Sequence, residues 1–195
     1  MLTSLLSNRR MLAMPVLIAC LVVLVVGTGL AQDDVEREGY FEVRSATTEM
    51  SNGVHTLDAR LQLVLSSEAL AALESGVTLT IELQMEVIRV RRWITDASEA
   101  ELAVRYELEY SPLSQRYIVK NLNSGEQDSF ATLYSALNSL GRIQGLPVID
   151  DALLETGRDY RFRLRAMLNT QQYPATLRLL FFWRGQWQLQ SEWFE

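Results

Sequence analysis

The feature that most constrains the fold of this chain is a repeated alternation of apolar and polar residues with a period of two. Residues 57–65, 102–110 and 160–168 each place an apolar side chain at every second position, with mostly polar side chains between them. Successive side chains of a β-strand point to opposite faces, so this pattern is typical of a strand with one buried face. Antiparallel sheets commonly have one solvated face, and the pattern therefore predicts antiparallel pairing.

A longer strand is predicted over residues 77–93. Its odd positions are apolar up to Val87, and then Ile88 and Val90 are apolar whereas Arg89 and Arg91 are polar. A shift of one residue in the alternation indicates a β-bulge between these two residues. The alternative is that the strand leaves one sheet at this point and joins another.

Two short helices interrupt the strand pattern. Residues 66–76 form one candidate, which ends at a glycine, and the apolar spacing of residues 130–140 predicts the other. Asp128 or Ser129 is the expected N-terminal cap of the second helix, and Gly141 is its expected C-terminal cap.

The remaining segments complete a mainly β domain. Residues 117–122 form a strand after a turn, residues 145–157 form a loop with at most a short helical turn, and residues 177–183 and 187–193 form a closing hairpin. About seven antiparallel strands and two short helices predict a β-sandwich-like domain or an α+β variant of it. We expect this single domain to span residues 40–195, after a linker over residues 32–39.

An apolar leader helix precedes the domain. Arg9 and Arg10 are followed by an uncharged apolar run over residues 11–27, and Gly29 and Ala31 then provide a small-x-small end. These are the parts of a secretory signal peptide over residues 1–31, and they predict export to the periplasm. The run is also near the minimum length of a membrane-spanning helix, so an uncleaved inner-membrane anchor is the alternative. A lipoprotein box that ends at Cys20 is a third interpretation.

The charge of the chain argues against nucleic acid as a partner. Removal of residues 1–31 takes away two arginines and no acidic residue, so the net charge of −6 becomes −8. Binding of nucleic acid phosphates requires clustered positive charge. Cys20 is the single cysteine and His55 the single histidine, which excludes zinc sites that need two histidines. The sequence contains no catalytic motif, and we predict neither an enzyme nor a bound cofactor or metal.

Several segments together resemble a known family. They are ALESGV at 72–77, RRW at 91–93, LEYSPLS at 108–114, FATL at 130–133, YRFRL at 160–164, PATL at 174–177 and WQLQSEW at 187–193. In this order, behind a signal peptide, they resemble the proteobacterial domain-of-unknown-function family 4390 over roughly residues 40–195. The resemblance implies an exported bacterial protein that is rich in β-strands and has no established activity. It also implies a partner in the membrane, such as a sensor kinase.

Two groups of arginines are candidate binding residues. Arg161, Arg163 and Arg165 lie on one face of a predicted strand, where guanidinium groups could bind a carboxylate or another anion. The alternative is a solvated face opposite acidic residues of another strand, for which Glu101, Glu107 and Glu109 are suitable.

The second group consists of Arg89, Arg91, Arg92 and Trp93. Arginine beside an aromatic ring could bind a peptide carboxylate or a lipid headgroup. The alternative is the charged end of an edge strand, which prevents unwanted pairing.

Phe182 and Trp183 give the strand predicted over residues 177–183 apolar side chains on both faces. One of these faces is therefore available to a helix, a ligand or a protein partner. From export, acidity and this apolar surface we predict a non-enzymatic domain that binds an inner-membrane protein. The alternative is a carrier or sensor of a small apolar or anionic ligand held between the sheets, with Arg89 or Arg163 at the mouth.

We expect the leader to be cleaved after Ala31, because this site follows the apolar run directly and has small residues at both required positions. N-terminal sequencing of the protein isolated from cells will then give Gln32 as the first residue. Met1 as the first residue would contradict cleavage and would indicate the membrane anchor.

Overall fold

A computed structural model of the chain describes residues 37–91, 97–169 and 189–195. The strands in these residues are β1 (Tyr40–Ser51), β2 (Val54–Val64), β3 (Leu79–Arg89), β4 (Ala97–Ser111), β5 (Arg116–Asn121), β6 (Gln127–Phe130), β7 (Arg142–Asp150) and β8 (Tyr160–Asn169). The helices are α1 (Ser67–Glu74) and α2 (Leu133–Leu140). All described pairs are antiparallel, in a first sheet of order β1-β2-β7 and a second sheet of order β6-β5-β4-β3-β8. The predicted mainly β fold with two antiparallel sheets and two helices is confirmed.

The core lies between the buried faces of the two sheets. The inward side chains of β3 are at most 3% exposed, and they are Leu79, Ile81, Leu83, Met85 and Val87. The first four belong to the same apolar cluster as the inward side chains of β1 and β2. The period-two pattern of the sequence therefore places one side of each sheet in a shared apolar core.

The turn between β1 and β2 and the bulge in β3 follow local sequence signals. Asn52 and Gly53 both have positive φ angles, 53° and 81°, as a two-residue hairpin turn requires. The β3–β4 register shifts between Val87 and Ile88, which confirms the bulge that the shifted alternation predicted.

The helix α2 begins later than the sequence predicted. Its N-terminal cap is Thr132, whose side chain accepts a hydrogen bond from the Ser135 N–H, so the predicted caps Asp128 and Ser129 were wrong. Phe130 lies in β6 instead, opposite Tyr117 of β5, because the preceding turn returns the chain along that strand. The predicted C-terminal cap at Gly141 is confirmed.

The largest departure from the prediction is β7, where we expected a loop over residues 145–157. Gly145 has a φ of +57°, and the β2–β7 register shifts twice, so the alternation of the strand is broken. Pro147 lacks an N–H, but β7 is an edge strand of the first sheet, where proline is tolerated.

The described C-terminal residues pair with the outer edge of β8. The backbones of Leu164 and Phe194 exchange two hydrogen bonds of 2.9 Å, and Ser191 N–H donates to Ala166 O at 2.8 Å. This part of the chain forms isolated bridges rather than a continuous strand. The first arm of the predicted closing hairpin, residues 177–183, lies outside the described residues, and so does the leader. Among the residues that are described, no helix has the length and apolar character needed to cross a membrane.

Candidate functional site

A groove of about 280 Å³ lies between the edge strands β1 and β8. We call it the inter-sheet groove. Its described lining consists of Ala46, Thr47, Thr48, Leu57, Met85, Glu86, Val148, Tyr160, Arg161, Phe162, Arg163, Leu164, Phe194 and Glu195. Both sheets contribute to this lining, because β1, β2 and β7 belong to the first sheet and β3 and β8 to the second.

The groove combines an apolar wall with a few charged groups. Leu57, Met85 and Leu164 are buried, and Phe162 and Phe194 are half-buried. Ligand sites in proteins are mostly apolar, contain a small number of convergent polar groups and have volumes of roughly 300–1,000 Å³. The inter-sheet groove has this composition, and its volume suits a small ligand or a single extended chain.

Arg161 lies in the lining and pairs with the last residue of the chain. Its Nη1 is 2.7 Å from Oε2 of Glu195, and both side chains are 44% exposed. An ion pair with this exposure contributes little to stability, because water screens both charges. Arg161 and Glu195 are therefore bound to each other only weakly.

Arg163 and Arg165 hold the C-terminal segment on the outer face of the second sheet. The guanidinium carbons of both arginines lie 4.3 Å from the ring centroid of Trp193. Arg163 also donates from Nε to Glu86 at 2.9 Å and from Nη2 to the same oxygen, and Arg165 donates to Gln84 at 2.8 Å. These contacts fix Trp193 and so place Phe194 and Glu195 at the groove.

The acidic partners of these arginines are not the ones that the sequence suggested. We expected Glu101, Glu107 and Glu109, which all lie on β4. The strand β3 lies between β4 and β8 in the sheet, so Glu86 of β3 is the carboxylate directly opposite Arg163. Side chains two strands away are too distant to pair across the sheet.

Glu82 is the most deeply buried carboxylate of this face, at 4% exposure. Burial alone would raise its pKa, but hydrogen bonds from Gln84, Arg105 and Asn169 favour the charged form, and the net result is a lowered pKa. The distances from these donors to the carboxylate oxygens are 2.6, 2.9 and 2.7 Å, respectively. Glu82 is thus a charged group that connects β3, β4 and β8.

Of the second arginine group, the structure describes Arg89 and Arg91. Arg89 donates to Glu155 at 2.7 Å, and its Nε is 2.7 Å from Glu99, although the N–H is not directed at that oxygen. The bonds from Arg89, and then from Arg158, lower the pKa of Glu155. Arg89 therefore connects β3, β4 and the segment before β8, and it is not among the described groove residues.

Several candidate residues remain outside the site as described. Arg91 is exposed, whereas Arg92, Trp93, Phe182 and Trp183 lie outside the described residues. The structure thus places Arg161 and Arg163 together at the groove, Arg165 beside them on Trp193, and Arg89 in a separate ion-pair cluster.

His55 contacts Phe162 of the groove lining, although the sequence did not indicate a place for it near the candidate site. Its Nε2 is 3.0 Å from Oδ1 of Asp151, and its ring lies 5.5 Å from the ring of Phe162. The neighbouring Asp150 accepts a hydrogen bond from the Ala152 N–H and caps a short 3-10 turn. Within residues 37–91, 97–169 and 189–195, no group of three or more acidic, histidine or cysteine side chains is arranged to hold a metal ion.

Sequence reasoning missed most of the groove. Ala46, Thr47 and Thr48 follow the β1 bulge, where the alternation is shifted, and Val148 lies in the segment predicted as a loop. Phe194 and Glu195 reach the groove only because the C-terminal segment pairs with β8. The one available signal was the anion-binding potential of the arginines in β8.

The fold and the site define a mainly β domain of two antiparallel sheets with a groove between two of their edge strands. A family model described as "Domain of unknown function (DUF4390)" matches residues 39–195. The chain therefore belongs to this family, which confirms the resemblance seen in the sequence. No curated protein and no solved structure matches the chain.

The lowered pKa of Glu82 predicts a pH-dependent contribution to stability. The folded-state pKa is below the ordinary value of 4.5, so the stabilisation is present above 4.5 and is lost as the pH falls through the folded-state pKa. We expect Glu82→Gln to lower the free energy of unfolding at neutral pH by about 1–3 kcal/mol, because three donors lose a charged acceptor. Urea unfolding from neutral to acid pH will show this difference shrinking below pH 4.5.

Glu109→Gln is the control for this experiment, because Glu109 is an exposed carboxylate on the neighbouring strand β4. It should leave the unfolding curve unchanged. A Glu82→Gln effect that stays constant down to the most acid pH would contradict the ionised role of Glu82.

Proposed function

We propose that this protein is an exported, non-enzymatic binding domain with a β-sandwich-like fold, and that it carries or senses a small apolar or anionic ligand in the inter-sheet groove. The observation that supports this function best is the lining of the groove. It combines the apolar side chains of Leu57, Phe162 and Phe194 with a small number of charged side chains. A ligand with an apolar body would be removed from water there, and its polar end would remain at the charged groups.

The position of the groove also favours a binding role. Edge strands expose unpaired backbone groups, and proteins usually cover or charge such edges. The C-terminal segment covers the β8 edge from Leu168 to Leu164, and none of the described residues pairs with the outward backbone of Phe162. In the part of the chain that the structure describes, the groove therefore lies next to the portion of β8 that the C-terminal segment covers.

The periplasmic location is part of this proposal and is supported by the leader sequence. The positive residues, the apolar run and the small residues before Gln32 fit an export signal. Either a released domain or one anchored by residues 11–27 would face the periplasm, since the arginines stay on the cytoplasmic side.

A second candidate function is the binding of an inner-membrane protein, such as a sensor kinase. Two exposed apolar side chains at one end of the first sheet favour it. Met50 is 63% exposed beside the β1–β2 turn, and Leu153 is 75% exposed in the 3-10 turn that follows β7. These elements meet where Asp151 N–H donates to Gly53 O at 2.8 Å. Exposed apolar groups that lie together are typical of protein contact sites.

The groove proposal predicts that a bulky side chain on its wall abolishes binding. The probe is 1-N-phenylnaphthylamine, a neutral apolar dye whose fluorescence rises when it leaves water. We expect Ala46→Phe to weaken dye binding at least about tenfold, because the added ring fills volume that the dye needs. Ser51→Phe, at the exposed end of the same strand, is the matched control. Equal dye binding by both variants, with unchanged circular dichroism, would contradict a binding site in the groove.

The partner proposal predicts that polar residues at the exposed end of the first sheet reduce capture of a membrane protein. The double variant Met50→Ser, Leu153→Ser should reduce recovery of a cross-linked inner-membrane protein about tenfold, as truncation of interface anchors does. Leu113→Ser is the control, because Leu113 is 99% exposed in the β4–β5 turn. Phe182→Ala with Trp183→Ala tests the surface predicted from the sequence. If both double variants leave the recovery of the membrane protein unchanged, neither surface binds it.

A further inference from the structure

Two guanidinium groups lie in the described lining of the inter-sheet groove, and they differ in how firmly they are held. Arg163 donates two hydrogen bonds to Glu86 and stacks on Trp193. Arg161 has one ion pair, with Glu195 at 2.7 Å, and both of these side chains are partly exposed. Among the described residues, a ligand would have to break three contacts to use Arg163, whereas it would have to break one contact to use Arg161.

The side chain that is paired with Arg161 indicates which chemical group of a ligand the guanidinium would bind. The Glu195 side chain is a carboxylate on a short aliphatic stem, and it lies in the groove lining itself. Another carboxylate of the same charge can take its position with the same donor, so the exchange preserves the ion pair. Because screened pairs at the surface are weak, little is lost when Glu195 leaves.

The surroundings of Arg161 set the charge and shape of such a ligand. Glu86 and Glu195 both line the groove, so a group with two negative charges would face two carboxylates. A single negative charge avoids most of this repulsion. The lining also includes Phe162, Leu164 and Phe194, which offer contacts to an alkyl chain and no hydrogen bonds from their side chains.

We propose that Arg161 is the headgroup site of the groove, that it binds the carboxylate of a single-chain aliphatic acid, and that Glu195 occupies it until the acid displaces it. This inference rests on the proposed function, because it requires the groove to bind a ligand. Arg161 sets the specificity for an acid, and the apolar side chains of the groove bind the alkyl chain of that acid. Glu195 lowers the affinity for acids by competing for the same guanidinium.

The experiment compares octanoate with octan-1-ol as competitors of 1-N-phenylnaphthylamine. These probes share an alkyl chain and differ in charge. The protein is isolated from cells that express the full chain and is washed free of detergent. We expect the wild type to bind octanoate a few-fold more tightly than octan-1-ol, because the charge pair that octanoate forms with Arg161 is partly offset by the screened Arg161–Glu195 pair that it breaks. Arg161→Gln should remove this preference and leave the affinity for octan-1-ol unchanged.

Two further variants separate a headgroup site from a general effect of charge. Glu195→Gln should strengthen octanoate binding several-fold and leave octan-1-ol unaffected, because the competing carboxylate is gone. Arg158→Gln removes an exposed arginine that lies three residues before Arg161 and pairs with Glu155. It should change neither affinity, which excludes a simple loss of net positive charge.

The outcomes distinguish this proposal from the one on which it rests. If the dye binds in the groove but octanoate and octan-1-ol bind equally in the wild type, the headgroup site is overturned and the groove proposal stands. If Glu195→Gln weakens octanoate binding, the headgroup site is likewise overturned and the groove proposal stands. If Ala46→Phe does not affect the dye, both proposals fail. Tighter binding of an acetylated apolar tripeptide than of octanoate would overturn the assignment to an aliphatic acid.

Discussion

The strand β3 is buried on its inward face and on the first part of its outward face, and most of the described structure is built around it. Its inward side chains fill the core, and on its outward face Thr80 and Glu82 are 3% and 4% exposed. It pairs along its whole length with β4 on one side and with β8 on the other. A central strand with a buried carboxylate on its outer face needs that charge compensated, since an unpaired buried charge is strongly destabilising.

The compensation of these charges determines where the C-terminal segment lies. Glu82 takes its donors from β3, β4 and β8, and Glu86 binds Arg163. With its guanidinium fixed by Glu86, Arg163 presents a flat cationic surface on which Trp193 stacks, and Arg165 completes the stack. The carboxylates of β3 thus position the arginines of β8, and these arginines position the C-terminal residues that line the groove. Two of the three arginines predicted as an anion site, Arg163 and Arg165, thus also position an aromatic ring.

The sequence predicts the strands whose alternation is unbroken, and it predicts the bulge in β3 because the apolar phase shifts there by one residue. It does not predict β7, since Gly145 and Pro147 are turn signals in a sequence and their tolerance on an edge strand depends on sheet order. The start of α2 was misplaced because Phe130 fits the helical spacing equally well, and only the β5–β6 pairing shows that it is extended.

The candidate site was less predictable than the fold for a related reason. Its walls come from residues as distant in sequence as Thr48 and Phe194, and no local pattern records which edge strands face each other. Arg161 and Arg163 were candidates because of their charge, but the sequence could not distinguish the firmly held guanidinium from the exchangeable one. That distinction depends on the positions of Glu86 and Glu195, which sheet register and the C-terminal pairing decide.

The described pairing of the C-terminal segment covers only part of the β8 edge at the groove. The segment pairs with β8 only as far as Leu164, so the strand edge is covered beside the core and lacks a described partner at Phe162. The weakly held Arg161–Glu195 pair belongs to the same groove lining as these apolar side chains. An apolar surface adjacent to an exchangeable charge is the arrangement that selects amphipathic ligands over purely polar or purely apolar ones, because each half of such a ligand finds a matching environment. The described lining of the groove therefore combines the weakly held Arg161–Glu195 pair with apolar side chains.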